Sequence, residues 1–141
     1  MSTYQTQAQI DAVVQGFESC TTDKADFKHQ DHLTVAVYYL QDSTIAEATD
    51  RLRESLFRFV DHYGIDRKKY NETITIFWLE LVAQRLKNDK PELTLLERCN
   101  EVIAALNNAS LALEYYSANL LYSDRARHEF VEPDLKDWRK P

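Results

Sequence analysis

The stretch Ile45-Ala46-Glu47-Ala48-Thr49-Asp50-Arg51-Leu52-Arg53-Glu54-Ser55-Leu56-Phe57-Arg58-Phe59-Val60-Asp61-His62-Tyr63-Gly64 decides the fold class. Ile45, Ala48, Leu52, Leu56, Phe59, Val60 and Tyr63 recur every three or four residues, while Arg51, Arg53, Glu54 and Arg58 fall on other faces. A helix of 3.6 residues per turn gathers those apolar positions into one stripe, whereas a strand would scatter them over both faces. Gly64 stands where a helix takes a left-handed C-terminal cap, a conformation open to glycine at no steric cost.

The same period continues outward in both directions. Downstream, a fourth helix starts near Asn71 and runs to about Asn88, where Lys90-Pro91 stops it. From Ile74 to Ala83 its only charge is Glu80, the composition of a buried, central helix, with Phe77, Trp78, Leu81 and Val82 as expected core. A fifth opens on the capping box Thr94-Leu95-Leu96-Glu97, carries Cys99, Val102, Ile103 and Leu106 on its stripe, and ends at Asn107-Asn108. A sixth is predicted from Ser110, with Leu113, Tyr116, Leu120 and Leu121. A short seventh follows over Ser123 to Phe130, then an extended tail from about Glu132 to Pro141. Pro133 bars helix there, and the extended residues reach far enough to lay Trp138 back on the bundle. Upstream, helices are predicted from Gln30 to Gln41 and from Thr6 to Ser19.

Composition agrees. The 141 residues include 2 Gly and 3 Pro, where average usage would give about 10 and 7. Sheets consume turn glycines and helix bundles need few. The expectation is an all-α, single-domain antiparallel bundle of about six helices, with a short seventh helix and the tail. Hydrophobic residues at 44% and charged residues at 28% describe a globular chain. The net charge of −6 argues against nucleic acid as a partner, since phosphate neutralisation needs a basic surplus or stripe. No run approaches the ~20 apolar residues of a membrane span. The polar, uncharged start from Met1 to Gln9 lacks the basic and apolar regions of a secretory signal. Two cysteines without metal spacing, Cys20 and Cys99, fit a reducing compartment, so the expected location is cytoplasmic.

Chemistry-bearing residues cluster at two helix starts. Phe27-Lys28-His29-Gln30-Asp31-His32-Leu33 opens the second helix, and His29 and His32, three apart, share a helical face near the core stripe. Tyr70-Asn71-Glu72-Thr73-Ile74-Thr75 opens the fourth. Glu72 heads the apolar row of Ile76, Leu79 and Ala83, a place where a carboxylate needs a partner. Alternating helices bring both starts to one end of the bundle. His29, His32 and Glu72 are therefore expected to converge in one polar pocket as catalytic residues, bordered by Tyr70, Asn71, Thr73 and Thr75 as binding groups. Imidazole with carboxylate suits a proton relay, and the same three side chains suit a divalent metal such as zinc with an open position. No glycine-rich phosphate loop, GxSxG elbow, CxxC pair or HExxH is present, which disfavours the familiar nucleotide-triphosphate and serine-hydrolase chemistries.

Phe27-x-His29-x-x-His32-Leu33, Tyr70-x-Glu72-Thr73-x-Thr75-x-x-Trp78, Tyr115-Tyr116-Ser117 and Ser123-x-x-Ala126-Arg127-x-x-Phe130-Val131-Glu132-Pro133-Asp134 together resemble a group of uncharacterised small all-helical bacterial proteins. The likeness spans roughly residues 27 to 135 and implies the helical fold. The chain departs from the group at Asn71, where members commonly carry His, and at Lys136-Asp137-Trp138, where members end Pro-Leu-Pro. If the site is metallic, that leaves fewer nitrogen ligands here. Two functional readings follow. One is a small-molecule-binding protein or enzyme built on the His/His/Glu pocket. The alternative is a non-catalytic interaction module, homodimerisation included, using aromatics such as Tyr38, Tyr39 or Trp138.

Overall fold

The computed structural model describes residues 3–88 and 90–140. Met1, Ser2, Asp89 and Pro141, including the last residue of the expected tail, lie outside the described residues. Five longer helices come first: α1 (Gln7–Glu18), α2 (His29–Leu40), α3 (Ile45–His62), α4 (Glu72–Lys87) and α5 (Leu95–Leu106). Two short ones, α6 (Ala118–Leu121) and α7 (Asp124–His128), precede the tail. Single 3-10 turns occupy Arg67–Lys69 and Ala109–Glu114, and no strand occurs among the described residues. The all-α bundle read from the sequence is the fold of this chain.

Helix ends fall where side chains satisfy the orphan amides. Thr6, Thr44 and Thr94 each accept from the backbone N–H three residues on, while Gln9, Glu47 and Glu97 reach back to the cap amide. Asn71 caps α4 through its side-chain oxygen on the Ile74 amide, 2.9 Å. At the end of α3, Gly64 takes φ +65° and the Ile65 amide donates to the Val60 carbonyl at 2.8 Å. That closes the helix in the manner the glycine announced.

Helices α2 and α4 share the centre. α2 packs against α1, α3, α4 and α5, and α4 packs against α2, α3, α5 and α7. Phe77, Val82 and Cys99 are fully enclosed and Leu81 is buried. Burial raises the Cys99 thiol to about 12, so it is a core hydrophobe. Trp78, expected in the core, is only half-buried, because one side of its ring meets a cavity instead of a neighbouring helix.

The predicted sixth helix does not form as one piece. Its first part is the 3-10 turn Ala109–Glu114, and Ser117 breaks the run with an extended backbone (φ −65°, ψ 151°) to cap α6. The tail explains the break. Asp134 accepts from the Ser117 amide (2.8 Å) and hydroxyl (2.7 Å), the Leu135 amide donates to the Tyr115 carbonyl (2.9 Å), and the Tyr116 hydroxyl donates to the Val131 carbonyl (2.7 Å). The bonds to the Ser117 amide and the Tyr115 carbonyl claim backbone groups that a continuous helix would have used. Trp138 then seats edge-on against Phe77 at 5.0 Å and Tyr115 at 5.8 Å, and is buried, with Gln84 donating to its carbonyl at 2.9 Å. The tail is thus a structural strap laid on α4.

Candidate functional site

The first turns of α2 and α4 meet beside one cavity of about 570 Å³. Its walls are mostly apolar: Leu33, Ala36, Leu52, Leu56, Phe59 and Ile74 contribute, with Trp78 and Phe27 as the aromatic sides. Into this surface come the polar side chains of His29, His32, Lys69, Asn71 and Thr75. The alternating topology does what the sequence required of it for the two histidines.

His32 packs edge-on against Phe27 at 4.5 Å and forms no side-chain hydrogen bond to any described residue. Burial and then the neighbouring His29 push its pKa down to about 4, so the ring is neutral near pH 7. His29 sits against Trp78 at 4.4 Å, and one ring nitrogen lies 3.4 Å from the Leu106 carbonyl, a long contact. Burial lowers its pKa as well, with the Leu106 carbonyl acting in the opposite sense. Each neutral imidazole offers one N–H donor and one lone pair.

Glu72 is not in this cavity. Its carboxylate is held in a two-point clasp by Arg53, at 2.9 Å from Nε and 2.5 Å from Nη2, and accepts from the Tyr70 hydroxyl at 2.5 Å. Burial acts to raise its pKa, but the Arg53 and Tyr70 bonds outweigh that and leave it lowered. The clasp turns Glu72 toward a second cavity, also about 570 Å³, lined by Arg53, Arg67, Lys68, Arg127 and His128. The expected His29/His32/Glu72 convergence is therefore corrected: the carboxylate found its partner in a guanidinium from α3 rather than in the imidazoles. As a metal set the trio is divided too, and no three His, Cys, Asp or Glu side chains gather as a metal site among the described residues. Two imidazoles alone fall short of the three protein ligands of a catalytic zinc.

The remaining candidates separate by role. Tyr70 walls both cavities, its ring tilted on Phe57 at 4.6 Å, and burial with the Glu72 bond raises its pKa. Asn71 borders the first cavity, yet its side chain is spent on the α4 cap and on the Leu121 carbonyl at 2.8 Å. Thr75 also borders it and donates back to the Asn71 carbonyl at 3.0 Å. Thr73 is fully buried away from it, tied to the carbonyls of Ala126 (2.8 Å) and Glu129 (3.0 Å) and accepting from the Val131 amide. It anchors the C-terminal segment. Sequence reasoning missed Arg53, Lys69 and the wall role of Trp78. The signal for Arg53 was present, since an acid heading an apolar row demands a partner and a guanidinium matches a carboxylate in two-point geometry.

Comparison with protein families, with curated proteins and with solved structures returns no match. Among the described residues no helix is long and apolar enough to cross a membrane.

Proposed function

We propose that the chain binds a small molecule in the His29/His32 cavity: a largely apolar compound carrying one hydrogen-bonding group. The observation that carries this reading is His32, a neutral imidazole without a protein partner in an apolar wall. The imidazole lines the cavity, so a ligand group there bonds it directly, and such a hydrogen bond contributes about 0.5–1.5 kcal/mol. The apolar walls supply the bulk of the affinity, and the few polar groups fix orientation. In an enzymatic form of this reading, His29 and His32 hand a proton along α2 while Thr75 and Tyr70 flank the substrate. Glu72 has no part in that relay, because Arg53 holds it as a carboxylate in the other cavity.

The experiment is an NMR titration of the full chain with 1-naphthol, an apolar body with a single hydroxyl, read at the His32 ring proton and at Trp78 fluorescence. Saturable shifts at both are expected in wild type, and in His32→Leu, which lacks that ring, the affinity read by fluorescence should weaken about tenfold for the loss of one well-placed hydrogen bond. Affinity unchanged by that substitution, or no saturation in wild type, sinks the reading.

A further inference from the structure

The second cavity has a charge pattern unlike the rest of this acidic chain. Four cationic side chains line it, Arg53, Arg67, Lys68 and Arg127, against two carboxylates, Asp66 and Glu72. Some of that charge is already committed. Arg53 holds Glu72 and Asp50, and Arg67 pairs with Asp61 at 2.6 Å while lying over the Phe57 ring. The rest is unspent. The Lys68 ammonium has no partner among the described residues. Arg127 pairs with Asp124 through a single terminal nitrogen, Nη2, and its Nη1 has no partner among the described residues, while its Nε is enclosed without an acceptor and faces no cavity. His128 engages the Asp124 carbonyl through Nδ1 at 2.7 Å, leaving Nε2 without a partner. The Lys68 ammonium and the Arg127 Nη1–H are donors without acceptors, and an anionic oxygen makes the strongest hydrogen bonds to such groups.

We infer that this cavity is an anion site for a small phosphate-bearing molecule, with Lys68 and Arg127 as the principal ligands and the Arg53–Glu72 clasp as its fixed wall. The arrangement favours phosphate over carboxylate. Lys68 comes from the 3-10 turn and Arg127 from α7, so donors arrive from separate elements. A tetrahedral oxyanion points oxygens in several directions and meets such donors, whereas a carboxylate offers two oxygens in one plane. A nucleic-acid backbone does not fit, because the free cations gather in one cavity and form no stripe, on a chain of net charge −6. This inference stands apart from the imidazole cavity and survives its failure.

The test is calorimetric titration of the full chain with inorganic phosphate at constant ionic strength, beside acetate as the planar control. Variants Lys68→Gln, Arg127→Gln and Arg125→Gln complete the set. Lys68 is exposed, so its variant decides the matter even if Arg127→Gln fails to fold. Arg125 lies on the same short helix, exposed and paired with Glu129, and does not line the cavity. Saturable phosphate binding is expected, weakened about tenfold by Lys68→Gln and less than about twofold by Arg125→Gln. Absence of saturation up to about 10 mM phosphate overturns the inference. So does equal weakening by Lys68→Gln and Arg125→Gln, which is the mark of general surface charge. Acetate binding as tightly as phosphate overturns it too.

Discussion

Two cavities of equal volume, sharing Tyr70 as a wall, treat their titratable groups in opposite ways. Around His29 and His32 the lining is apolar and supplies no counter-charge, so desolvation strips the imidazoles of their protons. Around Glu72 desolvation presses in the same direction, toward the neutral form, yet Arg53 and Tyr70 reverse it and keep the carboxylate charged. Burial alone therefore does not set the protonation state of a buried group. Whether a partner of the right geometry stands within hydrogen-bond reach does, and here the difference is one guanidinium from α3.

The largest effect expected from breaking that contrast comes through the strap. Trp138→Ala should cost about 3–5 kcal/mol, read from the urea midpoint, because a buried indole packed on Phe77 is removed. The disturbance should be unequal. α7 brings Arg127 and His128 to the charged cavity and packs on α4, so amide shifts should concentrate there and leave His29 and His32 little changed. Equal disturbance of both cavities would show that they are one mechanical unit.

Acid titration sharpens the comparison next. His32 has a folded pKa of about 4 against an unfolded value near 6.5. As pH falls the unfolded chain takes the proton first, so stability is full above about 6.5 and is lost progressively down to about 4, by about 3 kcal/mol in total. His29, also lowered, adds to the loss in the same direction. Glu72 has a lowered folded pKa, so its contribution is present above the ordinary carboxylate value and disappears only below it. His32→Gln should make the fall of the unfolding midpoint between about pH 6.5 and 4 shallower, leaving the part that His29 contributes, and Glu72→Gln should make only the more acid limb shallower. A wild-type midpoint constant from about pH 6.5 to 4.5 would mean that burial does not hold the imidazole neutral.

Arg53→Met should cost less, about 1 kcal/mol, since the Arg53 side chain is a third exposed and solvent screens the pair. Its sharper signature is the carboxyl titration of Glu72 by carbon NMR, which should move upward once the guanidinium is gone. An unmoved titration would assign the lowered value to something other than the clasp.

The smallest effect separates neighbours in sequence. Lys68 lines the charged cavity and Lys69 the apolar one. Lys69→Gln should change stability by no more than about 0.5 kcal/mol and leave phosphate binding untouched, in contrast to Lys68→Gln. Calorimetry on the two variants side by side reads the partition directly.

The sequence by itself determined the first five helices, because apolar period, helix caps and Gly64 act within a few residues of each other. It also determined that His29 and His32 share a face, which is a property of residues three apart on any helix. The site was half legible for the same reason. Pairing Glu72 with the histidines used only the end of the bundle at which each helix starts, and that is too coarse to say which of two adjacent hollows a side chain enters. Arg53, 19 residues from Glu72 in sequence, settled it through a contact that no local pattern encodes. The broken sixth helix has the same origin. Its residues carry a helical period, but Asp134 accepts from the Ser117 amide from 17 residues away, and the Leu135 amide donates to the Tyr115 carbonyl. Tertiary structure alone decides between a local bond and a distant one, because their energies are similar and packing of the strap tips the balance.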